Sequence, residues 1–291
     1  TTFSIDGFPL SYFPVRYPFF GLHTSVSGVG FNISKALVTL RNAVNFASLI
    51  GGDDNGILIR RILAQEDIVD KLVLTTMDET AQSVILYDPD GRRQIHVDLK
   101  DIQEQIYPIE KARDAIQVCD CAVICNINFA RPLLRVARDE GKMIATDVHA
   151  LVDLDDPYNR DFMAHADILF LSDESLPFPP EDVARGLMDR YAPQIVVIGL
   201  GAQGALLALR GDNFVGRYDS VRTGPVVNTI GAGDALFSSF LDRYMRTQDP
   251  YRAIREAMVF ASLKIGETGA AAGFSSPDEL DQWVEKTGGG G

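Results

Sequence analysis

Asn228-Thr229-Ile230-Gly231-Ala232-Gly233-Asp234-Ala235 joins a short apolar run, Val226-Val227, to a helix-like run from Ala235 to Leu241. Two glycines flanking an alanine let the backbone turn tightly, so that successive N–H groups can aim at one point. A helix starting there adds the positive end of its dipole, and the two together make a pocket for an anion. The Asp234 carboxylate then stands at the rim of a site built for phosphate, where it is repelled unless it has a task. Taking a proton from a hydroxyl nucleophile is the task that fits. The plainer reading is an ordinary glycine-rich loop with Asp as a favoured first-turn residue.

Outward from this stretch the chain alternates between strand and helix. Asn45 to Ile50 reads as a strand and Ile57 to Gln65 as a helix. Cys119 to Ile124, Met143 to Thr146, Ile168 to Leu171 and Ile195 to Ile198 are apolar runs of buried parallel-strand type. Helical stretches such as Ala130 to Glu140 and Glu181 to Tyr191 lie between them. The alternation predicts an α/β sandwich on a parallel sheet. Two regions break it. Thr80 to Asp88, a turn at Pro89-Asp90-Gly91, and Arg92 to Asp98 read as a β-hairpin. Thr2 to Ile5 is strand-like, and Tyr12 to Phe20 is aromatic and rich in proline. The tail, Gly288 to Gly291, reads as disordered.

The 291 residues suffice for one large core or two smaller ones. A net charge of −13 with no basic stripe argues against a nucleic-acid partner or an anionic membrane. No apolar run reaches membrane-spanning length, no signal peptide opens the chain, and the lack of an initiator Met reads as trimming. Cys119, Cys121 and Cys125 are evenly spaced, so as strand residues they share one face. Packing is favoured there over a metal, because no nearby His completes a ligand set. An odd, low cysteine count fits a reducing cytoplasm.

Gly199-Leu-Gly201-Ala-Gln-Gly204 follows a strand and satisfies the dinucleotide pattern Gly-x-Gly-x-x-Gly. That fingerprint should open a helix, whereas Ala205 to Leu209, Arg210-Gly-Asp-Asn and Phe214 to Tyr218 read as a hairpin. A redox enzyme is therefore a weak reading.

The stretch from Asn228 to Asp234 resembles the second signature of the PfkB family of ribokinase-like sugar and nucleoside kinases, Asp-Thr-x-Gly-Ala-Gly-Asp, with Asn228 at its first position. Ser25-Val-Ser-Gly28-Val-Gly30-Phe-Asn32, ahead of a helix at Ile33 to Leu40, resembles the first, Gly-Gly-x-Gly-x-Asn, with Ser27 for the first glycine. Gly51-Gly-Asp53-Asp-Asn-Gly56 fits the family's Gly-x-Asp-x-x-Gly, and Gly201 with Gly204 fits its Thr-x-Gly-x-x-Gly at the nucleotide. Val259 to Ala272, with Gly269-Ala270, matches its late helix and loop beside the adenine. The resemblance covers nearly the whole chain. It implies one ribokinase-like domain over 1–291, a three-layer α/β/α sandwich with a mainly parallel central sheet, and a small β-sheet lid from segments near 1–25 and 78–100.

The same resemblance implies an ATP-dependent kinase that transfers the γ-phosphoryl group to a hydroxyl of a sugar or nucleoside. Asp234 is then the base, and N–H groups from Gly231, Ala232 and Gly233 to Asp234 hold the developing charge, helped by Mg²⁺. Gly28, Gly30 and Asn32 fall at the substrate, where an amide offers one acceptor and two donors. Asp53 reads as a substrate ligand or as a turn former. Gly201, Gly204, Asn228, Thr229, Gly269 and Ala270 fall at the nucleotide.

Departures from the family are informative. Its metal-organising Asn-x-x-Glu is Ser172-Asp-Glu-Ser175 here, so Asp173 or Glu174 takes over water on Mg²⁺ or belongs to a solvated loop. Its Asp-Pro-Asn appears as Asp147-Val148-His149, and Asn228 weakens the inference of a monovalent-cation site beside the anion pocket. Aligning Phe3 to Pro9 with the family's second strand places its substrate-binding Asp just before Thr1, so Asp6 is not that residue. Val29 stands where phosphosugar kinases carry Lys, which favours a neutral sugar or nucleoside. The rival is a non-catalytic relative that binds a sugar or nucleotide and regulates a partner, suggested by Ser172 and Ser175; the intact Asp234 favours an enzyme. The aromatics of Tyr12 to Phe20 and the hairpin need cover, across the cleft or from a second copy in a homodimer through the lid.

Overall fold

The computed structural model describes residues 1–89, 92–267 and 269–288, so Asp90 and Gly91 of the expected turn and the tail beyond Gly288 lie outside the described residues. The chain begins with β1 (Thr2–Ser4), β2 (Leu22–His23), α1 (Val29–Thr39), β3 (Ala47–Gly51), α2 (Asp54–Gln65), β4 (Leu72–Met77), β5 (Gln82–Tyr87) and β6 (Arg93–Asp98). Next come α3 (Ile109–Val118), β7 (Cys121–Val123), α4 (Arg131–Asp139), β8 (Met143–Asp147), α5 (Arg160–His165) and β9 (Ile168–Ser172). Then follow α6 (Pro180–Tyr191), β10 (Ile195–Gly199), β11 (Ala205–Leu209), β12 (Phe214–Tyr218), α7 (Ala232–Thr247), α8 (Pro250–Lys264) and α9 (Pro277–Thr287).

A six-stranded sheet, ordered β12-β11-β10-β9-β8-β7, forms the middle layer. Its strands β7 to β10 are parallel, and β11 and β12 add an antiparallel hairpin. Because side chains alternate along a strand, each strand feeds two cores. Leu169 and Leu171 of β9 with Val196 and Ile198 of β10 bury against α4, α5 and α6, through residues such as Leu134, Phe162 and Leu187. Their neighbours Ile168, Phe170, Ile195 and Val197 bury against Phe237, Phe240 and Leu241 of α7 and Ile254 of α8. Phe170 meets Phe237 and Phe240 edge-on at centroid distances of 4.8 and 5.3 Å. Each such buried ring contributes on the order of 1.5–3 kcal/mol of transfer free energy. The result is the expected α/β/α sandwich.

Two expectations need correction. The early strand does not join the central sheet: β3 pairs in parallel with β4 as a separate two-stranded sheet. Phe46 to Leu49 and Ala122 to Ile124 line the same cleft, and no ladder joins β3 to β7 among the described residues. The cysteines do not share a face. Strand β7 is only three residues long, so Cys119 ends α3 and packs with the α3–α6 layer, while Cys121 and Cys125 pack with the α7–α8 layer. Burial pushes the Cys121 and Cys125 thiols up to about 12, which leaves them unreactive. In the aromatic segment, Tyr12 and Phe20 remain 89% and 96% exposed.

A four-stranded sheet, β2-β1-β5-β6, stands apart from the sandwich and overhangs its cleft with Ser83, Ile85, Arg93 and Ile95. No helix among the described residues is long and apolar enough to cross a membrane.

Candidate active site

The anion loop is built before α7 begins. Asn228 Oδ1 accepts the Ile230 N–H at 2.8 Å, which closes an Asx turn. The N–H groups of Val227 and Asn228 donate to the Ile265 carbonyl at 2.8 and 3.1 Å, tying the loop to the end of α8. Gly231 caps α7 with φ of 82°. A Cβ at that position would lie 2.2 Å from the Ala270 carbonyl oxygen, so the left-handed turn and the close approach both demand glycine. Ala232 N donates to Thr229 O at 3.2 Å and Ala235 N to Gly231 O at 3.0 Å. The N–H groups between them, on Gly233 and Asp234, are first-turn donors that a helix leaves open. Gly233 is exposed and nothing lies within 4 Å of where its Cβ would stand, which leaves room for an anion.

Helix α1 meets α7 from the other side of the cleft floor. Gly28 precedes it at φ 123° and ψ 145°, a backbone state reserved for glycine. The turn brings Asn32 inward, where it is buried. Asn32 Nδ2 donates to Asp234 Oδ2 at 2.7 Å, across 202 residues of sequence. Its Oδ1 accepts from Ser27 Oγ at 3.3 Å, which fixes the amide's orientation. Burial drives the Asp234 pKa up, the Asn32 bond pulls it down, the Asp147 charge pushes it up again, and the balance stands at about 6. Such a carboxylate is deprotonated at neutral pH yet basic enough to share a proton in a transition state.

The carboxyl ends of β8, β9 and β10 supply the far wall, as parallel strands in an open α/β sheet usually do. Asp147 Oδ1 accepts its own loop's His149 N–H at 2.8 Å, and the His149 ring Nδ1 lies 3.5 Å from Oδ2. Ser172 Oγ accepts the Glu174 N–H at 3.1 Å. Glu174 opens on the cleft, whereas Asp173 is not among the residues that line it. Gly201 and Gly204 bound a short 3₁₀ turn between β10 and β11, so the dinucleotide-like pattern opens a hairpin and no α-helix.

From the overhanging sheet, Arg93 reaches Thr229 Oγ1 and Glu174 Oε1, each at 3.4 Å. Nothing in the sequence pattern singles Arg93 out, because alternating charges are normal on a solvated hairpin. These three residues form a small polar bridge from lid to loop.

One cleft of about 1850 Å³ gathers Gly28, Gly30, Asn32, Glu174, Gly201, Gly204, Thr229, Gly231 to Asp234 and Ala270 on its walls. Asp53, Asp173, Asn228 and Gly269 are not among the residues that line it. No group of three or more metal-type side chains occurs among the described residues. Mg²⁺ asks for less, one or two carboxylates beside phosphate oxygens and water, and Asp147 with Glu174 fits that demand.

Asp53 caps α2. Its Oδ1 accepts from Gly56 N at 3.0 Å and from Thr80 Oγ1 at 2.5 Å, and its Oδ2 accepts from Thr80 N at 3.1 Å. Burial raises its pKa, but the bonds from Thr80, Gly56 and Asn55 outweigh that and hold it at about 2. The residue thus latches α2 to the root of the β5–β6 hairpin. Asp53→Ala removes a cap and strands the Thr80 N–H, so a loss of about 2–4 kcal/mol is expected in denaturant unfolding. The folded pKa is depressed, so this stabilisation is present above pH 3.8 and disappears as pH falls through about 2. Unchanged stability at pH 7 would remove the latch.

A family model described as pfkB family carbohydrate kinase matches residues 18–277. An acarbose 7(IV)-phosphotransferase of Actinoplanes sp. is 30% identical over 219 residues, covering 73% of this chain and 71% of that protein. An ATP-dependent ribose-1-phosphate kinase of Halopiger xanaduensis is 26% identical over 249 residues, covering 84% and 82%. Among solved structures, a microbiome-derived acarbose kinase superposes with a TM-score of 0.88 at 26% identity, over 98% of this chain and 95% of that one. A ribokinase from Thermotoga maritima shares the fold at 17% identity, with a TM-score of 0.77 over 98% and 95% of the two chains.

Proposed function

This chain belongs to the pfkB family of carbohydrate kinases, and we propose that it transfers the γ-phosphoryl group of ATP to a hydroxyl of a neutral sugar or nucleoside. The observation that carries the reading is the Asn32–Asp234 bond beside the open N–H groups of α7. Asp234 takes the proton of the acceptor hydroxyl as its oxygen bonds to the γ-phosphorus. The bond from that phosphorus to the β,γ-bridging oxygen breaks, and ADP leaves. The N–H groups of Gly233 and Asp234, with the α7 dipole, hold the charge on the transferred group. Asn32 orients the base and keeps one amide proton for the acceptor. Arg93 adds a positive charge from the lid side. Mg²⁺, when bound, offsets phosphate charge, and Glu174 and Asp147 are the carboxylates that would hold its waters.

Val29, standing where phosphosugar kinases carry Lys, offers nothing to a substrate phosphate, which supports a neutral acceptor. Arg93 supplies a second reading, a phosphosugar acceptor, and one relative is named for ribose-1-phosphate. The Arg93 contact with Thr229 puts that charge over the anion loop, where the transferred group suits it better. The non-catalytic alternative is not favoured, because the base and its donors stand together. Reduced cysteines accord with a cytoplasmic location, and pairing of two copies would cover the exposed aromatic segment. An ADP-release screen over neutral sugars, oligosaccharides including acarbose, nucleosides and phosphosugars tests the reading. Turnover on a neutral acceptor is the expected result. Turnover confined to phosphosugars would reassign the substrate, and nucleotide binding with no turnover on any acceptor would restore the non-catalytic reading.

A further inference from the structure

Lys264 ends α8 with its side chain fully buried, at 0% exposure. Its Nζ donates to the Gly269 carbonyl at 2.8 Å. Burial lowers its pKa, while the charges of Asp234 and Glu267 act the other way and favour the ammonium. A buried ammonium is costly, and such groups persist where they are paired or used. The proposed reaction does not itself employ Lys264, so its burial asks for another cause.

The position of the bonded carbonyl supplies one. Gly269 leads into Ala270, whose carbonyl oxygen is the atom pressed against Gly231. On the other flank, the Ile265 carbonyl receives the N–H groups of Val227 and Asn228. Both supports of the anion loop therefore spring from the turn after α8, and Lys264 bridges that turn from within. Asn228 makes the complementary adjustment. A carboxylate at this point would pair with a cation, whereas the amide spends its Oδ1 on the Ile230 N–H. A backbone carbonyl such as that of Gly269 is the type of group that a bound alkali ion takes up where no side chain does.

We propose that Lys264 is a positioning residue whose ammonium acts as a fixed internal cation behind the anion loop, so that the loop keeps its shape and its positive potential without a dissociable alkali ion. The link to turnover rests on the kinase reading, but the link to nucleotide binding does not.

The test is calorimetric titration of ADP in potassium, sodium and choline chloride at equal ionic strength, on the wild type, Lys264→Ala and Lys264→Met. ADP affinity is read without any acceptor, so a failure of the kinase reading leaves the measurement intact. Wild-type affinity should agree within about twofold across the three salts, since the cation is covalent. Lys264→Ala should bind roughly tenfold more weakly or worse in choline, as expected on losing one preorganised charge, and should recover in potassium. Lys264→Met fills the space without charge and should weaken binding in every salt with no recovery. Potassium-dependent affinity in the wild type would overturn the proposal. So would a Lys264→Met protein that folds and binds ADP as the wild type does.

Discussion

Asp234→Asn is expected to lower turnover by roughly 10²–10⁴-fold, the usual worth of a positioned proton acceptor, with ADP affinity nearly unchanged. The substitution keeps the shape, and the new Oδ1 can still accept from Asn32 Nδ2. Only the proton acceptor is lost. The wild-type rate should fall with a slope of one as pH drops through about 6, where burial has moved this carboxyl, and the variant's residual rate should lack that limb. Stability should move the opposite way. A carboxyl whose folded pKa is raised from 3.8 to about 6 contributes fully below pH 3.8, and that contribution is lost as pH rises through 6. The Asn variant, which carries no buried charge, should therefore melt above the wild type at pH 8, with the gap closing towards pH 4. Near wild-type turnover in the variant would remove Asp234 from proton transfer.

Gly231→Ala is the second large effect. The added methyl must occupy space 2.2 Å from the Ala270 oxygen, on a residue held at φ 82°. The left-handed backbone alone costs about 1–2 kcal/mol for an L-residue. The contact cannot be relieved by a side-chain rotation, because the neighbour is backbone. The loop must shift, and with it the N–H groups of Gly233 and Asp234. Misaiming one such donor costs on the order of 10²–10³ in rate, so a fall in kcat/KM of about 10³ or more is expected, together with weakened ADP binding. Nothing crowds the corresponding site at Gly233, so Gly233→Ala should fold normally and act only by entering the anion's space. Should Gly231→Ala bind ADP within about twofold of the wild type, the loop is not the anion site.

The sheet was legible wherever a strand is apolar throughout and ends at a turn. Ala205–Leu209 and Phe214–Tyr218 match their sequence reading to the residue, because Gly204 and the turn from Arg210 bound them. Cys119 to Ile124 was too long, since apolar residues continue past β7 into an α3 end and a loop that are also buried. Asp53 reads locally as a ligand or a turn former, and its bond to Thr80, 27 residues away, is one that no local pattern announces. The left-handed turn that opens α7 was plain from its glycines. The Asn32–Asp234 bond was not, for it depends on how α1 and α7 lie on one face of the sheet. Lys264 was hidden by resembling an ordinary last-turn Lys, which the helix dipole favours at any surface.

The overhanging β2-β1-β5-β6 sheet shares no strand with the sandwich that holds Asp234 and Asn32. On the proposed function, the part that handles the proton and much of the part that covers the acceptor would then lie on separate sheets of one polypeptide. Mutational drift in the roof would then change which hydroxyl-bearing compound is admitted, while the proton-handling floor is spared. Relatives named for compounds as unlike as ribose-1-phosphate and acarbose accord with such a division. For directed evolution, a combinatorial library belongs at roof residues such as Ser83, Ile85 and Ile95, where diversity can be explored without erasing the activity being selected.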